Sequence, residues 1–168
     1  DKALPVAGKI LEIGTGKGHF ALALAKRGFN FTSIDISRQE QEIAMLNLRY
    51  FGFEKQAVLH IENAEHMSFP DQSFRTIFSI NVFHHLEKPS VVLAEIVRLL
   101  HPGGKVVLSD FNDRGLAIIN ACHTQEGRKH DHCKHHLDEA VEYLLHNGFA
   151  IDEFQSEVQR VVIVTQCE

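Results

Sequence analysis

The stretch Glu12-Ile13-Gly14-Thr15-Gly16-Lys17-Gly18-His19 constrains this chain more than any other. It stands between a short apolar run at residues 9–13 and a helical pattern that continues to about Arg27, where Gly28 stops it. Glycines at alternate positions let the backbone turn tightly and approach a ligand. The helix that follows offers unpaired amides in its first turn. Strand, Gly-rich loop and helix in that order make the opening unit of a nucleotide-binding α/β fold. The spacing narrows the ligand. Dinucleotide loops read G-x-G-x-x-G; counted from Gly14, the third glycine belongs at position 19, which is His19. Here the third glycine is Gly18, and Glu12 sets a carboxyl just ahead of the loop. A loop cradling a pyrophosphate gains nothing from that charge. A loop holding a cationic amino-acid tail does.

Asp35 is the second element. It ends the apolar run Phe31–Asp35, about 20 residues past the loop, where a carboxylate accepts hydrogen bonds from ribose hydroxyls. Either feature alone has a plainer reading, a glycine turn without a ligand or an Asp opening a turn. Both together at this separation point to a nucleoside ligand.

The rest of the chain alternates short apolar runs with helical periods, the pattern of a mostly parallel sheet. Ser37-Arg38-Gln39-Glu40 is a capping box that opens a helix to about Tyr50, ended by Gly52. Residues 57–61, 76–80 and 105–109 read as strands, with a polar loop over 63–75. A helix is expected over 90–100, closed by His101-Pro102-Gly103-Gly104. Residues 111–136 read as a long connection with a helix over 116–123. Leu137, Ala140, Val141, Leu144 and Leu145 share one helical face. The runs 149–154 and 158–165 are expected to pair as an antiparallel hairpin. The prediction is one α/β domain across residues 1–168, a Rossmann-like doubly wound sheet, with 111–136 as an insertion or lid.

Composition excludes several classes. A net charge of −5 argues against a nucleic-acid partner, which needs a concentrated Lys/Arg surface. No apolar run approaches the ~20 residues of a membrane helix, and the first residues lack the order of a signal peptide. Cys122, Cys133 and Cys167 form no CxxC pair, which fits free thiols in a reducing cytoplasm.

The loop and Asp35 together resemble the class I S-adenosylmethionine-dependent methyltransferases. Glu12, Gly14, Gly16 and Gly18 match that family's E/D-x-G-x-G-x-G loop, and Asp35 its ribose-binding acid. Asn63-Ala64-Glu65 with Phe69-Pro70-Asp71-Gln72-Ser73-Phe74 is similar to the segment flanking adenine. Asn81-Val82-Phe83-His84-His85-Leu86 and Leu100-His101-Pro102-Gly103-Gly104-Lys105 resemble later landmarks. The likeness covers about residues 9–110 and is nearest to the small-molecule methyltransferases of ubiquinone and menaquinone biosynthesis. It implies seven strands with the last antiparallel. It also implies S-adenosylmethionine as cofactor, held by Glu12, Gly14, Thr15, Gly16, Gly18, Asp35, Ile36, Asn63, Ala64 and Asn81. Asn63 departs from the usual Asp; an Asn amide can still hydrogen-bond adenine. Many members carry N-terminal helices over the acceptor. About eight residues precede the first strand here, so that cover is expected to be missing from this chain.

His84 and His85 follow the fourth strand at its carboxyl end, where α/β folds bind ligands. Either is placed to take a proton from an acceptor; the other reading is that they cap the loop or pack beside the cofactor. His123, His130, His132, Cys133, His135 and His136 crowd the long connection. Of these His130, His132, Cys133 and His136 are the candidate metal ligands, but no pair has zinc spacing on both sides, and the segment reads better as an exposed polar loop. Asp110 and Asn112 with Asn81 make a poorer metal set, because Asn81 stands where a carboxylate is needed. The expected activity is methyl transfer to a small acceptor in the cytoplasm. The alternatives are a non-catalytic S-adenosylmethionine sensor or accessory subunit and, against the loop spacing, a nicotinamide-dependent oxidoreductase. Acceptor and oligomeric state are not readable from the sequence.

Overall fold

The alternating pattern resolves into strands and helices whose residue types explain them. The computed structural model describes residues 3–125 and 137–166. β1 (Ile10–Ile13) runs through the loop into α1 (His19–Lys26), then β2 (Phe31–Asp35), α2 (Arg38–Tyr50) and β3 (Ala57–Ile61). β4 (Phe74–Ile80), α3 (Pro89–Leu99) and β5 (Leu100–Phe111) follow, then α4 (Asp113–Gln125), α5 (Leu137–His146), β6 (Phe149–Gln155) and β7 (Gln159–Gln166). The described strands form one sheet in the order β3-β2-β1-β4-β5-β7-β6. β7 is antiparallel to both of its neighbours, and the pairings from β3 to β5 are all parallel. The chain winds outward from β1 to β3, then returns to β4 on β1's other side. That reversal opens a crevice at the carboxyl ends of β1 and β4, where such sheets take their ligands.

The central strands are buried on both faces, which is why they read as continuous apolar runs. Leu11, Ile13, Ile34 and Ile77 face α3 and α5, which contribute Val92, Leu93, Ile96, Leu99, Leu137, Ala140 and Leu144. Ile10, Phe31, Phe78 and Val107 face the opposite layer, packed on Ala21, Leu24 and Ala25 of α1 and Leu48 of α2. Ser37 caps α2, its hydroxyl accepting from the Glu40 amide at 3.2 Å. The hairpin expected at the end of the chain is present as β6 and β7.

The structure departs from the sequence expectations in three places. β4 starts at Phe74, two residues before the expected position, because the Arg75 and Thr76 amides both donate to the Lys9 carbonyl. His101-Pro102-Gly103-Gly104 is not a turn closing a helix. It lies within β5, bulging between the pairs Phe74–Leu100 and Thr76–Lys105. A Cβ on Gly104 would stand 2.7 Å from the His101 carbonyl oxygen and 2.9 Å from that of Arg75. Finally, a helix occupies more of the 111–136 connection than expected. α4 fills Asp113–Gln125, started by Asn112, whose Oδ1 accepts from the Gly115 amide at 3.0 Å.

Candidate functional site

A cavity of about 580 Å³ opens at the carboxyl ends of β1, β2 and β4. From the expected set it brings together Gly14, Gly16, Asp35, Ile36, Asn63, Ala64, Asn81 and His85. Glu12, Thr15, Gly18 and His84 do not line it.

The glycines have three different reasons to be glycine. All have positive φ, +81° at Gly14, +49° at Gly16 and +83° at Gly18. A Cβ on Gly14 would lie 2.2 Å from Val82 Cγ2, so the loop packs there against the segment after β4. A Cβ on Gly18 would lie 2.9 Å from Ala44 Cβ and 3.0 Å from its Cα, so α1 and α2 meet there backbone to backbone. A Cβ on Gly16 would meet nothing within 4 Å. Gly16 alone of the three keeps space free for something the protein does not supply.

Asp35 ties that loop down. Its Oδ2 accepts from the Gly16 amide at 2.7 Å and its Oδ1 from the Ser37 amide at 2.9 Å. The Gly14 and Thr15 amides both donate to the Ile34 carbonyl, at 2.8 and 3.0 Å. A carboxylate accepts about four hydrogen bonds, so Asp35 holds the loop and keeps capacity for hydroxyl donors.

Glu12 and Thr15 sit beneath the loop. Because side chains alternate along a strand, Glu12 shares the α1–α2 face with Ile10, and it is 1% exposed. Its Oε2 accepts from the Ser33 hydroxyl at 2.6 Å, and the Ser33 hydroxyl oxygen lies 2.6 Å from the Thr15 hydroxyl oxygen.

Sequence reasoning missed the fastening of the Asn63–Ala64 side. Glu95 and Arg98 on α3 hold it through the chain. Arg98 donates to the carbonyls of Met67 and Phe69 at 2.9 and 2.8 Å, to Asp71 Oδ1 at 2.8 Å, and to both Glu95 oxygens. Glu95 in turn accepts from the Met67 amide at 2.8 Å. The Arg98 guanidinium holds the Glu95 carboxyl below its usual range against the opposing effect of burial. Reasoning from sequence also missed the cavity's charge. Glu40, Glu62, Glu65 and Glu87 join Asp35 in its lining, with no Lys or Arg among the described residues there.

The adjacent histidines part ways. His85 faces the cavity and is exposed, whereas His84 is buried. Asp110, at the end of β5, accepts from the His84 amide at 2.9 Å through Oδ2 and meets the ring Nδ1 at 2.6 Å through Oδ1. An ionised carboxylate only accepts, so the ring Nδ1 is the donor in that contact. The two rings touch with centroids 3.9 Å apart, tilted at 47° to one another. Asn81, at φ +58°, has its side-chain oxygen bonded to Gln159 Nε2 at 3.0 Å. Asp110 and Asn81 are thus engaged with protein partners. Among the described residues no three His, Cys, Asp or Glu side chains gather as a metal site. His130, His132, Cys133 and His136 lie outside the described residues. Among the described residues no helix is long and apolar enough to cross a membrane.

Residues 11–108 match the family described as "Methyltransferase domain". The chain is 35% identical over 115 residues to the ubiquinone biosynthesis O-methyltransferase of Dechloromonas aromatica, covering 67% of this chain and 48% of that protein. It is 34% identical over 112 residues to the 2-methyl-6-phytyl-1,4-hydroquinone methyltransferase of a Synechocystis strain, covering 66% and 34%. The matched part is therefore half or less of these relatives' length. A SAM-dependent methyltransferase structure from Methanosarcina mazei superposes with a TM-score of 0.77 at 23% identity, over 98% of this chain and 95% of that one, which shows a shared fold.

Proposed function

The chain belongs to the methyltransferase domain family, and from that premise we propose that it transfers the sulfonium methyl of S-adenosylmethionine to a small-molecule acceptor. The observation that carries this reading is the cavity's charge. Five carboxylates line it, from Asp35, Glu40, Glu62, Glu65 and Glu87, and no Lys or Arg does among the described residues. Such a wall repels the diphosphate of a nicotinamide cofactor and attracts a ligand that carries net positive charge.

The residues present fit that ligand. Gly16 leaves its Cβ position open, as a backbone that must approach a bound molecule requires. Asp35 would take the ribose hydroxyls, Asn63 and Ala64 the adenine edge, and the backbone of Gly14 and Gly16 the amino-acid tail. When bound, S-adenosylmethionine supplies an activated methyl group for in-line displacement and leaves as S-adenosylhomocysteine. The protein's part is to orient: positioning alone lowers the barrier substantially when the leaving group is already activated. His85 is the ring that faces the acceptor and receives its proton; His84, anchored on Asp110, backs it. The connection after β5 is the reading's candidate for the acceptor's cover: its described part, α4, leaves β5 at the carboxyl edge of the sheet, beside a neighbouring cavity lined by Asp110–Arg114.

Relatives named for a hydroquinone and for ubiquinone biosynthesis make a phenolic hydroxyl the first acceptor class to try. The net charge of −5 argues for a small acceptor over a nucleic acid. A cytoplasmic setting is supported by three cysteines without a CxxC pair. Calorimetric titration with S-adenosylmethionine, S-adenosylhomocysteine and NADH tests the cofactor, and release of S-adenosylhomocysteine with a panel of phenols tests the transfer. Binding of the first two and not NADH is expected. Binding of NADH in preference to S-adenosylmethionine would overturn the reading.

A further inference from the structure

Glu12 is a buried acid that the cavity does not use, although its place ahead of the glycines marks it as a counter-ion for a cationic ligand. Its surroundings fit another role. A chain of hydrogen bonds runs toward it with a fixed direction. Ser33 donates to Glu12 Oε2, so the Ser33 oxygen must accept from the Thr15 hydroxyl, and Thr15 in turn accepts from Gln41 Nε2 at 3.0 Å. Glu12 of β1, Ser33 of β2, Thr15 of the glycine loop and Gln41 of α2 are thereby one unit. Two acceptors in that unit, Glu12 Oε1 and Gln41 Oε1, are buried without a hydrogen-bond partner. Ionised, Glu12 would be a buried charge with no cation beside it among the described residues and only the Ser33 hydroxyl and Ala21 amide for support, a costly arrangement. Protonated, it loses the charge and gains a donor where acceptors are in surplus.

We propose that Glu12 is a positioning residue that works from beneath the glycine loop as an uncharged acid, holding Thr15 through Ser33, and is not the counter-ion of the bound cofactor. The proposal rests on the S-adenosylmethionine reading of the cavity. Burial is the main cause of the protonation, pushing Glu12 up to about 8; the Ser33 hydroxyl and Ala21 amide oppose it, and Asp35's charge adds to it. Asp35 is the charged group bearing on it from β2, while α1 and α2 present the Ala21 backbone and the Gln41 amide. A raised acid holds its proton in the folded chain while the unfolded chain gives it up. Folded stability therefore falls as pH rises from the ordinary carboxyl value of 4.5 to about 8, and levels off above that.

The two roles predict opposite signs. A counter-ion strengthens cofactor binding as it ionises; an uncharged anchor weakens it. Calorimetric titration with S-adenosylmethionine at about pH 7 and about pH 9, on wild type, Glu12→Gln and Glu12→Ala, reads the difference. Comparing wild type with Glu12→Gln at each pH cancels ionisation of the ligand itself. At the lower pH, Glu12→Gln is expected within about threefold of wild type and Glu12→Ala at least about tenfold weaker. Wild-type affinity relative to Glu12→Gln is expected to fall severalfold by the higher pH. A Glu12→Gln protein as weak as Glu12→Ala, or a relative affinity that rises with pH, overturns the proposal. Urea unfolding without ligand separates this from the cofactor reading. If wild type binds no S-adenosylmethionine, that reading fails, yet the midpoints still report the charge. Wild type should lose stability relative to Glu12→Gln between about pH 5 and about pH 8, and parallel midpoints refute the uncharged acid.

Discussion

Substituting Ala at Gly16 and at Gly18 separates the ligand site from the fold, because the two glycines are needed for different reasons. Both have left-handed backbone, which costs an Ala roughly 1–2 kcal/mol. At Gly16 that is the whole penalty, since a Cβ there meets nothing within 4 Å. At Gly18 the methyl would also press on Ala44 Cβ at 2.9 Å and Cα at 3.0 Å. Backbone cannot yield as a side chain does, and overpacking of this kind adds about 1–3 kcal/mol. Gly18→Ala should therefore cost about 3 kcal/mol and Gly16→Ala about 1 kcal/mol. For a chain of this size that lowers Tm by roughly 6–12 °C and roughly 2–4 °C respectively. Affinity should show the reverse ranking. The Gly16 methyl enters the cavity and is expected to weaken S-adenosylmethionine binding more than about tenfold, the equivalent of 1.4 kcal/mol. Scanning calorimetry and isothermal titration on the two purified proteins read both quantities. If Gly18→Ala melts no lower than Gly16→Ala, the helix contact argument is wrong. If Gly16→Ala binds as wild type does, the cofactor does not lie along this loop.

Asp35→Ala removes the acceptor for the Gly16 and Ser37 amides, so it should lower both cofactor affinity and unliganded stability, each by about 1.5–3 kcal/mol, in calorimetry. Arg98→Lys cannot reproduce the fork that holds Met67, Phe69, Asp71 and Glu95 together, and should weaken cofactor binding nearly as much as Arg98→Ala in the same titration. Asp110→Ala strips the acceptor from the His84 amide, the His84 ring and the Phe111 amide, and is expected to cost about 2–4 kcal/mol in urea unfolding while cofactor affinity changes little. If residues 113–125 cover the acceptor, hydrogen exchange should show their protection rising with cofactor and acceptor together; unchanged fast exchange in every state would leave them a solvated helix.

What the sequence disclosed was local, and what it hid was not. Gly14, Gly16, Gly18 and the Ser37 cap answer to backbone requirements within a few residues, so the loop and the start of α2 were legible. Asp35 was legible through its separation from the loop. The direction of Glu12 was not, because a four-residue strand buried on both faces carries no alternation to say which face holds the cavity. For the same reason, adjacency marked His84 and His85 together but could not tell the buried ring from the exposed one. The Glu95–Arg98 fastening joins α3 to a loop about thirty residues earlier, and no spacing rule reaches that far. The Pro-Gly-Gly segment was misread because its turn signal is real, yet here the turn is a bulge that β4 pairs across.

The place of β7 has a consequence for how the chain is made. β7 is the last described strand to be synthesised, yet it is inserted between β5 and β6. Its antiparallel register runs from Lys105–Thr165 to Phe111–Gln159 on one side and from Phe149–Gln166 to Gln155–Arg160 on the other. While the ribosome still holds residues 159–166, β5 has one bare edge and β6 has no partner in the sheet. The half bearing the glycine loop can assemble during translation; the other half must wait. Until β7 arrives, the apolar run Val106–Val107–Leu108 lies on an open strand edge, the condition under which nascent chains associate. Chaperone demand and aggregation in a cell should therefore concentrate in the interval between the emergence of β5 and that of β7.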